Sequence, residues 1–204
     1  METVQRNARQ MNEPQAILSA IWDRRSVGRL SEPTPSPEQL ETIIKAGASA
    51  PDHGHLKPWR FIVFQGDARQ KFGAVLAQAL QARLAQQGFT ATASQIEKEQ
   101  GKLLRAPLVV AVCAVIDNDS TIPVVEQFAA TAAACENMLL AATALGLGSM
   151  WRTGEASYDP FIKSALMLKE TDMIAGWLYF GSADTQLGVN SPADEPMKYV
   201  TYWV

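Results

Sequence analysis

Pro107 opens a run, LVVAVCAVI (108–116), that is apolar at every position and rich in β-branched residues. A strand with no polar alternation is one buried on both faces, so this run is expected to lie at the centre of a sheet that is covered from both sides. MIAGWLYFG (173–181) reads as another buried strand. WRFIVF (59–64), bounded by Pro58 before it and Gly66-Asp67 after it, is aromatic and β-branched and reads as a third. The 204 residues, 47% hydrophobic and 19% charged, suffice for one full core.

Helical segments separate these strands. Ala16, Ile17, Ala20 and Ile21 recur at helical spacing ahead of Arg24-Arg25-Ser26, which places the arginines in the last turn of a first helix. Ser36 as N-cap, Pro37 at the first helical position and Gln39 as capping-box partner start a second, with Leu40, Ile43 and Ile44 as its buried stripe. Asp67 is placed to cap a long helix carrying Phe72, Val75, Leu76, Ala79, Leu80 and Leu84, which runs to Gly88. A more polar helix is expected over Ser94 to Leu104, and an alanine-rich one over Pro123 to Leu145 that serves as a core helix or a dimer helix. SMW begins a short strand, Asp159-Pro160 starts a short helix, Thr185 to Pro196 reads as an irregular connection, and YVTYWV (199–204) as a final strand.

The pattern predicts an α+β fold: a central mixed, mainly antiparallel sheet flanked by helices. Several connections are too irregular for a doubly wound sheet. GLG at 146–148 precedes a strand instead of opening a helix, so it is not a dinucleotide fingerprint, and there is no phosphate-binding Walker loop.

Charge and composition exclude several functions. A net charge of -3 argues against a nucleic-acid surface. The two cysteines, Cys113 and Cys135, sit in apolar runs and read as buried free thiols. With His53 and His55 as the two histidines, no familiar zinc pattern can be assembled, and no metal is expected. The amino end, METVQRNARQMNEPQ, has no apolar signal core, and no apolar stretch reaches membrane-spanning length, so a cytoplasmic location without membrane contact is the default expectation. Residues 1–12 are expected to be flexible or to lie on a neighbour. Against this mildly acidic background Arg24, Arg25 and Ser26, with Arg29 close by, can give several charge-assisted hydrogen bonds to a phosphate. A basic pair at a helix end is also commonly solvated surface, and both readings stand on composition alone.

Taken in order, RRS (24–26), APDHGHLKPWRF (50–61) and GLGSMWRTG (146–154) resemble three signature stretches of the FMN-dependent nitroreductase family, spread over nearly the whole chain. The short length and the PDH form of the loop are most similar to the family's minimal bacterial branch, the YdjA-like NAD(P)H nitroreductases. The resemblance implies a nitroreductase-like FMN-binding domain over 13–204, in a domain-exchanged homodimer with FMN at the subunit interface. It implies that Arg24, Arg25 and Ser26 hold the phosphate and ribityl end of FMN. Ser49, Asp52, His53 and His55 would reach the flavin from the other subunit, and Trp151, Arg152 and Thr153 would meet it at a strand end. Many relatives carry APSGGNLQPW in the loop, whereas this chain has His55 in place of Asn and Lys57 in place of Gln. Lys198 is the candidate for a basic residue near the carboxyl end.

What the resemblance implies chemically is an oxidoreductase that takes hydride from NADH or NADPH and reduces small conjugated acceptors, nitroaromatics or quinones, by a ping-pong mechanism. Ser-His-Asp order, paired acids and an activated cysteine are all lacking, so no catalytic side chain is assigned, and the cofactor is expected to carry the hard step. Dehalogenation, azoline oxidation and flavin destruction occur on the same scaffold, and a flavin-binding dimer with little turnover is a further alternative.

Overall fold

The apolar run forms β3 (Leu108–Ala114), and every residue of it is buried. The structure, a computed structural model, describes residues 13–183 and 195–203. Around β3 it arranges β1 (Leu30–Ser31), β2 (Trp59–Gln65), β4 (Gly148–Arg152) and β5 (Met173–Ala183). The helices are α1 (Glu13–Asp23), α2 (Pro37–Gly47), α3 (Asp67–Gln86), α4 (Ala93–Gln100), α5 (Val124–Ala144) and α6 (Pro160–Ala165). Residues 1–12, and most of the connection expected over Thr185 to Pro196, lie outside the described residues.

β3 pairs antiparallel with β2 on one edge and with β5 on the other. β5 is longer than β3, and its far edge carries both β4 and β1, again antiparallel. One parallel bridge, Ser26 to Ser149, lies outside the named strands. The sheet is therefore mixed and mainly antiparallel, as the sequence predicts. Among the described residues the outer edge of β2 has no strand partner.

Alternation along β3 sorts the core into two layers. Val109, Ala111 and Cys113 pack with Phe72, Leu76, Leu103 and Ile162 on the side of α3, α4 and α6. Leu108, Val110 and Val112 pack with Ile43, Cys135, Met138 and Leu139 on the side of α2 and α5. Each large side chain removed from water in this way contributes about 1.5–3 kcal/mol. Both cysteines are free and fully buried, and loss of solvation pushes their thiols up to about 12.

Local signals hold at most helix starts. The Ser36 hydroxyl accepts from Gln39 N at 3.2 Å, the Gln39 side chain accepts from Ser36 N at 2.9 Å, and Pro37 opens α2. Asp159 caps α6 by accepting from Phe161 N at 2.8 Å. Four details differ from expectation. Gly66, with φ 56°, is the N-cap of α3, and Asp67 is its first helical residue with no capping bond. The polar helix begins at Ala93 under a Thr92 cap and stops at Gln100, with Gly101 passing the chain to a 3-10 turn over Lys102–Arg105. The arginines follow α1 instead of filling its last turn. The described part of YVTYWV, residues 199–203, is not a strand: Pro196–Tyr199 is a 3-10 turn, and Val200 to Trp203 follow as irregular backbone. A strand needs a neighbour for its backbone groups, and this tail meets none among the described residues, so Tyr199, Tyr202 and Trp203 are left exposed. No helix among the described residues is long and apolar enough to cross a membrane.

Candidate functional site

The amide of Arg24 still bonds to Ala20 O at 3.2 Å, the last helical bond of α1, and the chain then straightens. Ser26 bridges to Ser149, and Val27 N donates to Ser149 O at 2.9 Å. Arg24-Arg25-Ser26 is thus drawn out along the outer edge of β4. Arg24 Nε lies 3.4 Å from Glu136 of α5, and the Arg25 guanidinium folds back to donate to Trp22 O and Arg24 O at 2.7 and 2.8 Å. The Ser26 side chain is exposed and makes no hydrogen bond among the described residues. Beside it the Ser149 hydroxyl is buried without a partner, an arrangement that normally costs about 1–3 kcal/mol.

The loop after α2 is held by its own polar groups. Ser49 Oγ donates to Lys45 O at 2.8 Å, satisfying a carbonyl of the helix end. Asp52 Oδ2 accepts from Lys57 N at 2.6 Å and closes the loop, while His53 Nδ1 pairs with Glu126 at the start of α5. Gly54 has φ 71°, and His55 and Lys57 also take left-handed backbone, φ 54° and 49°. Such conformations cost about 1–2 kcal/mol in a residue with a side chain, so the loop is a specified shape rather than a passive connection. His55 is exposed. No group of three His, Cys, Asp or Glu side chains able to hold a metal occurs among the described residues.

β4 divides the third set. Trp151 lies on the α5 side, donating from Nε1 to Ala175 O at 3.1 Å, and its indole fits over the bare backbone of Gly176. A Cβ on Gly176 would sit 2.0 Å from Trp151 Nε1. Gly176→Ala is therefore expected to displace the indole and cost about 1–3 kcal/mol by overpacking, read as a lowered urea midpoint with a shifted tryptophan emission. An unchanged midpoint and spectrum would show that the indole is not confined there. Arg152 projects to the opposite face, its guanidinium carbon 6.0 Å from the centre of the Tyr179 ring. Burial raises the Tyr179 phenol above its ordinary value, an effect that Arg105 and Arg152 oppose. Thr153 is exposed, next to Gly154 with φ 113°.

The sequence-predicted residues thus form two groups within one chain. Arg24 to Ser26 and Trp151 to Thr153 share the β4 edge, whereas His53 is anchored at Glu126, ten positions along α5 from the Glu136 that meets Arg24. At 1.5 Å per helical residue these anchors are about 15 Å apart. Beyond the Glu136 anchor, α1, α2 and the C-terminal half of α5 enclose an apolar groove of about 450 Å³ with Ser49 and Asn137 in its wall. Ile17, Ile21 and Trp22 of α1 are exposed nearby. Lys198 sits over the ring of its neighbour Tyr199, 5.1 Å from its centre. Residues that sequence reasoning did not single out, Lys102 and Arg105, gather with Arg29 and Arg152 around two adjoining cavities on the α3 side.

With this geometry in place, the likeness to known proteins is informative. The sequence profile of the Nitroreductase family matches residues 21–182. The chain is 35% identical over 189 residues to "Putative NAD(P)H nitroreductase YdjA" of Escherichia coli K12, covering 91% of this chain and 98% of that one. Among solved structures, a nitroreductase-like family protein from Bacillus cereus superposes with a TM-score of 0.76 at 25% identity, covering 95% of this chain and 98% of that one. A nitroreductase from Desulfovibrio desulfuricans, described as "putative" and solved in complex with FMN, superposes with a TM-score of 0.69 at 25% identity, covering 95% and 99%.

Proposed function

Because this chain belongs to the nitroreductase family, we propose that it is an FMN-dependent oxidoreductase that takes hydride from NADH or NADPH and reduces small conjugated acceptors such as nitroaromatics or quinones. The observation that carries the cofactor assignment is the Arg24-Arg25-Ser26 edge. It brings together two half-buried guanidiniums, Arg24 paired with Glu136 and Arg25 with backbone carbonyls, and an exposed, unpartnered Ser26 hydroxyl beside a buried Ser149 hydroxyl that lacks a bond. That donor set fits a phosphate monoester and a polyhydroxyl chain. Arg24 is held in reach by Glu136, a half-exposed carboxylate that an incoming phosphate can displace.

When bound, FMN supplies the two-electron redox chemistry that lets reduced nicotinamide and an acceptor use one cleft in turn, a ping-pong order. The chain's own contribution is binding and orientation. Arg24, Arg25 and Ser26 anchor the phosphate end, and the β4 terminus at Trp151, Arg152 and Thr153 borders the ring. Ser49, Asp52, His53 and His55 are contributed to the site of a second copy. The buried thiols are too weakly acidic to take part.

Three features support the homodimer. Arg24 and His53 are held at anchors about 15 Å apart on α5, an apolar groove and the exposed face of α1 have no cover among the described residues, and a strand-like tail has no strand to join among them. The open edge of β2 is where that tail of a second copy can add.

One preparation tests the proposal. The purified protein is expected to be yellow, to elute at about twice its chain mass, and to bleach on anaerobic mixing with NADH or NADPH. Colourless protein indifferent to added FMN would remove the cofactor, and a flavin-retaining monomer would remove the shared site.

A further inference from the structure

The loop over residues 52–57, left-handed at Gly54, His55 and Lys57, closes on itself. Lys57 N donates to the Asp52 carboxylate at 2.6 Å, and His55 N to the Asp52 carbonyl at 3.3 Å. Those bonds fix its shape but not its place. Backbone held in sparsely populated conformations persists only where the surroundings over-determine it, so a hold from outside the loop is required. Two contacts relate the loop to the start of α5. His53 pairs with Glu126, and Gly54 lies against Ile122, close enough that a Cβ on the glycine would meet Ile122 Cδ1 and Cγ1 at 3.2 Å.

The two contacts differ in strength. The side chains of His53 and Glu126 are 63% and 44% exposed, and an ion pair in water contributes little. Ile122 is instead held from behind by Gln127, which is 1% exposed. Gln127 Oε1 accepts from Asp117 N at 2.9 Å, and its Nε2 donates to Asp117 O at 3.0 Å and to Ile122 O at 2.9 Å. One amide thus pins the first and last residues of the segment 117–122 to α5. Between those ends the segment braces itself, with Asp119 N donating to Asp117 Oδ1 at 3.0 Å and Ile122 N to Ser120 Oγ at 3.1 Å. Hydrogen bonds made by a buried group are stronger than the same bonds at a surface, and removing this amide frees three backbone groups at once.

We propose that Gln127 is the positioning residue of the 52–57 loop. Through Ile122 it sets where His53 and His55 stand, and the His53–Glu126 pair follows that placement instead of creating it. The proposal rests on the reading above that this loop serves the flavin site of a second copy, and it adds the residue that aims the loop. Gln127 is buried behind Ile122 and acts only through it.

His53 and His55 are the protein's two histidines, so ring-proton NMR of the histidine-labelled full-length protein, with whatever cofactor it retains, reads the loop alone. Both sets of signals are expected at positions distinct from free histidine. Gln127→Met keeps the volume without the amide, and Ile122→Ala removes the contact from a half-buried position should the first variant not fold. In protein that still unfolds cooperatively, each is expected to move both sets to the free-histidine position, whereas Glu126→Ala moves those of His53 alone. Per bound flavin, kcat/KM for menadione, with the nicotinamide donor that bleaches the flavin, is expected to fall about 10-fold in Gln127→Met and Ile122→Ala. Free-histidine signals in the parent protein, unmoved signals in either of those variants, or release of both histidines by Glu126→Ala overturns the proposal. So does full release of the loop with kcat/KM unchanged, because Gln127 would then hold a loop with no part in the reaction. A parent protein without flavin refutes the flavin reading, and the histidine signals still decide whether Gln127 places the loop.

Discussion

Arg24→Ala is expected to weaken FMN binding by about 2–4 kcal/mol, roughly 30- to 1,000-fold in Kd, because it removes a charge-assisted fork from a partly enclosed anion. Arg24 is the stronger choice of the two adjacent arginines. Its guanidinium is restrained only by Glu136 at 3.4 Å, whereas Arg25 is already bonded to two backbone carbonyls. Arg24→Lys should fall between wild type and alanine, since it keeps the charge and loses the planar fork. Flavin fluorescence titrated against apoprotein reads the difference directly. Equal retention of flavin in wild type and Arg24→Ala would place the phosphate elsewhere.

Arg83→Ala should cost about 3 kcal/mol of stability, which for a domain of this size is roughly 6–12 °C in Tm. Arg83 projects from α3 to Asp159, whose side chain is 3% exposed, and donates to Glu155 at 2.9 Å. Without the guanidinium, Asp159 keeps its capping bond from Phe161 N but carries a buried charge with no counterion. The side chain of Arg83 is itself 24% exposed, so water can partly replace it, which sets the figure at the low end of the range for a broken buried pair. Adding Asp159→Ser, which preserves a cap without the charge, should restore part of the loss. A Tm within a degree of wild type for Arg83→Ala would show that the pair contributes nothing. The same pair fixes the Glu155–Ser157 turn just after Thr153, so displacement there would also disturb the end of β4.

The parts of the fold legible in the sequence are those set by local chemistry. Ser36, Pro37 and Gln39 announce α2 because each acts within one turn, and LVVAVCAVI announces a doubly covered strand because every position in it is apolar. YVTYWV is also strand-like, but a strand is completed by a neighbour, and residue type does not say whether that neighbour lies in the same chain. The end of α1 is not legible because periodicity in Ala16 to Ile21 carries no stop signal, and it is the bridge to Ser149, far along the chain, that straightens Ser26. At the candidate site the motifs name segments but not the direction of their side chains. Alternation along SMWRT does separate Trp151 from Arg152, a signal present in the sequence once β4 is taken as a strand. The meeting of Arg29 with Arg105 had no such signal, because it depends on where a loop and a turn 76 positions apart are brought by the sheet.

Cys113 and Cys135 have a practical meaning for an enzyme that handles electrons in air. With both thiols enclosed and pushed up to about 12, the thiolate fraction at neutral pH is on the order of 10⁻⁵. Neither sulfur is open to peroxide, alkylating agents or mixed-disulfide formation while the sheet stays intact. Modification at either position therefore reports unfolding, and the native protein can be kept without a reducing agent.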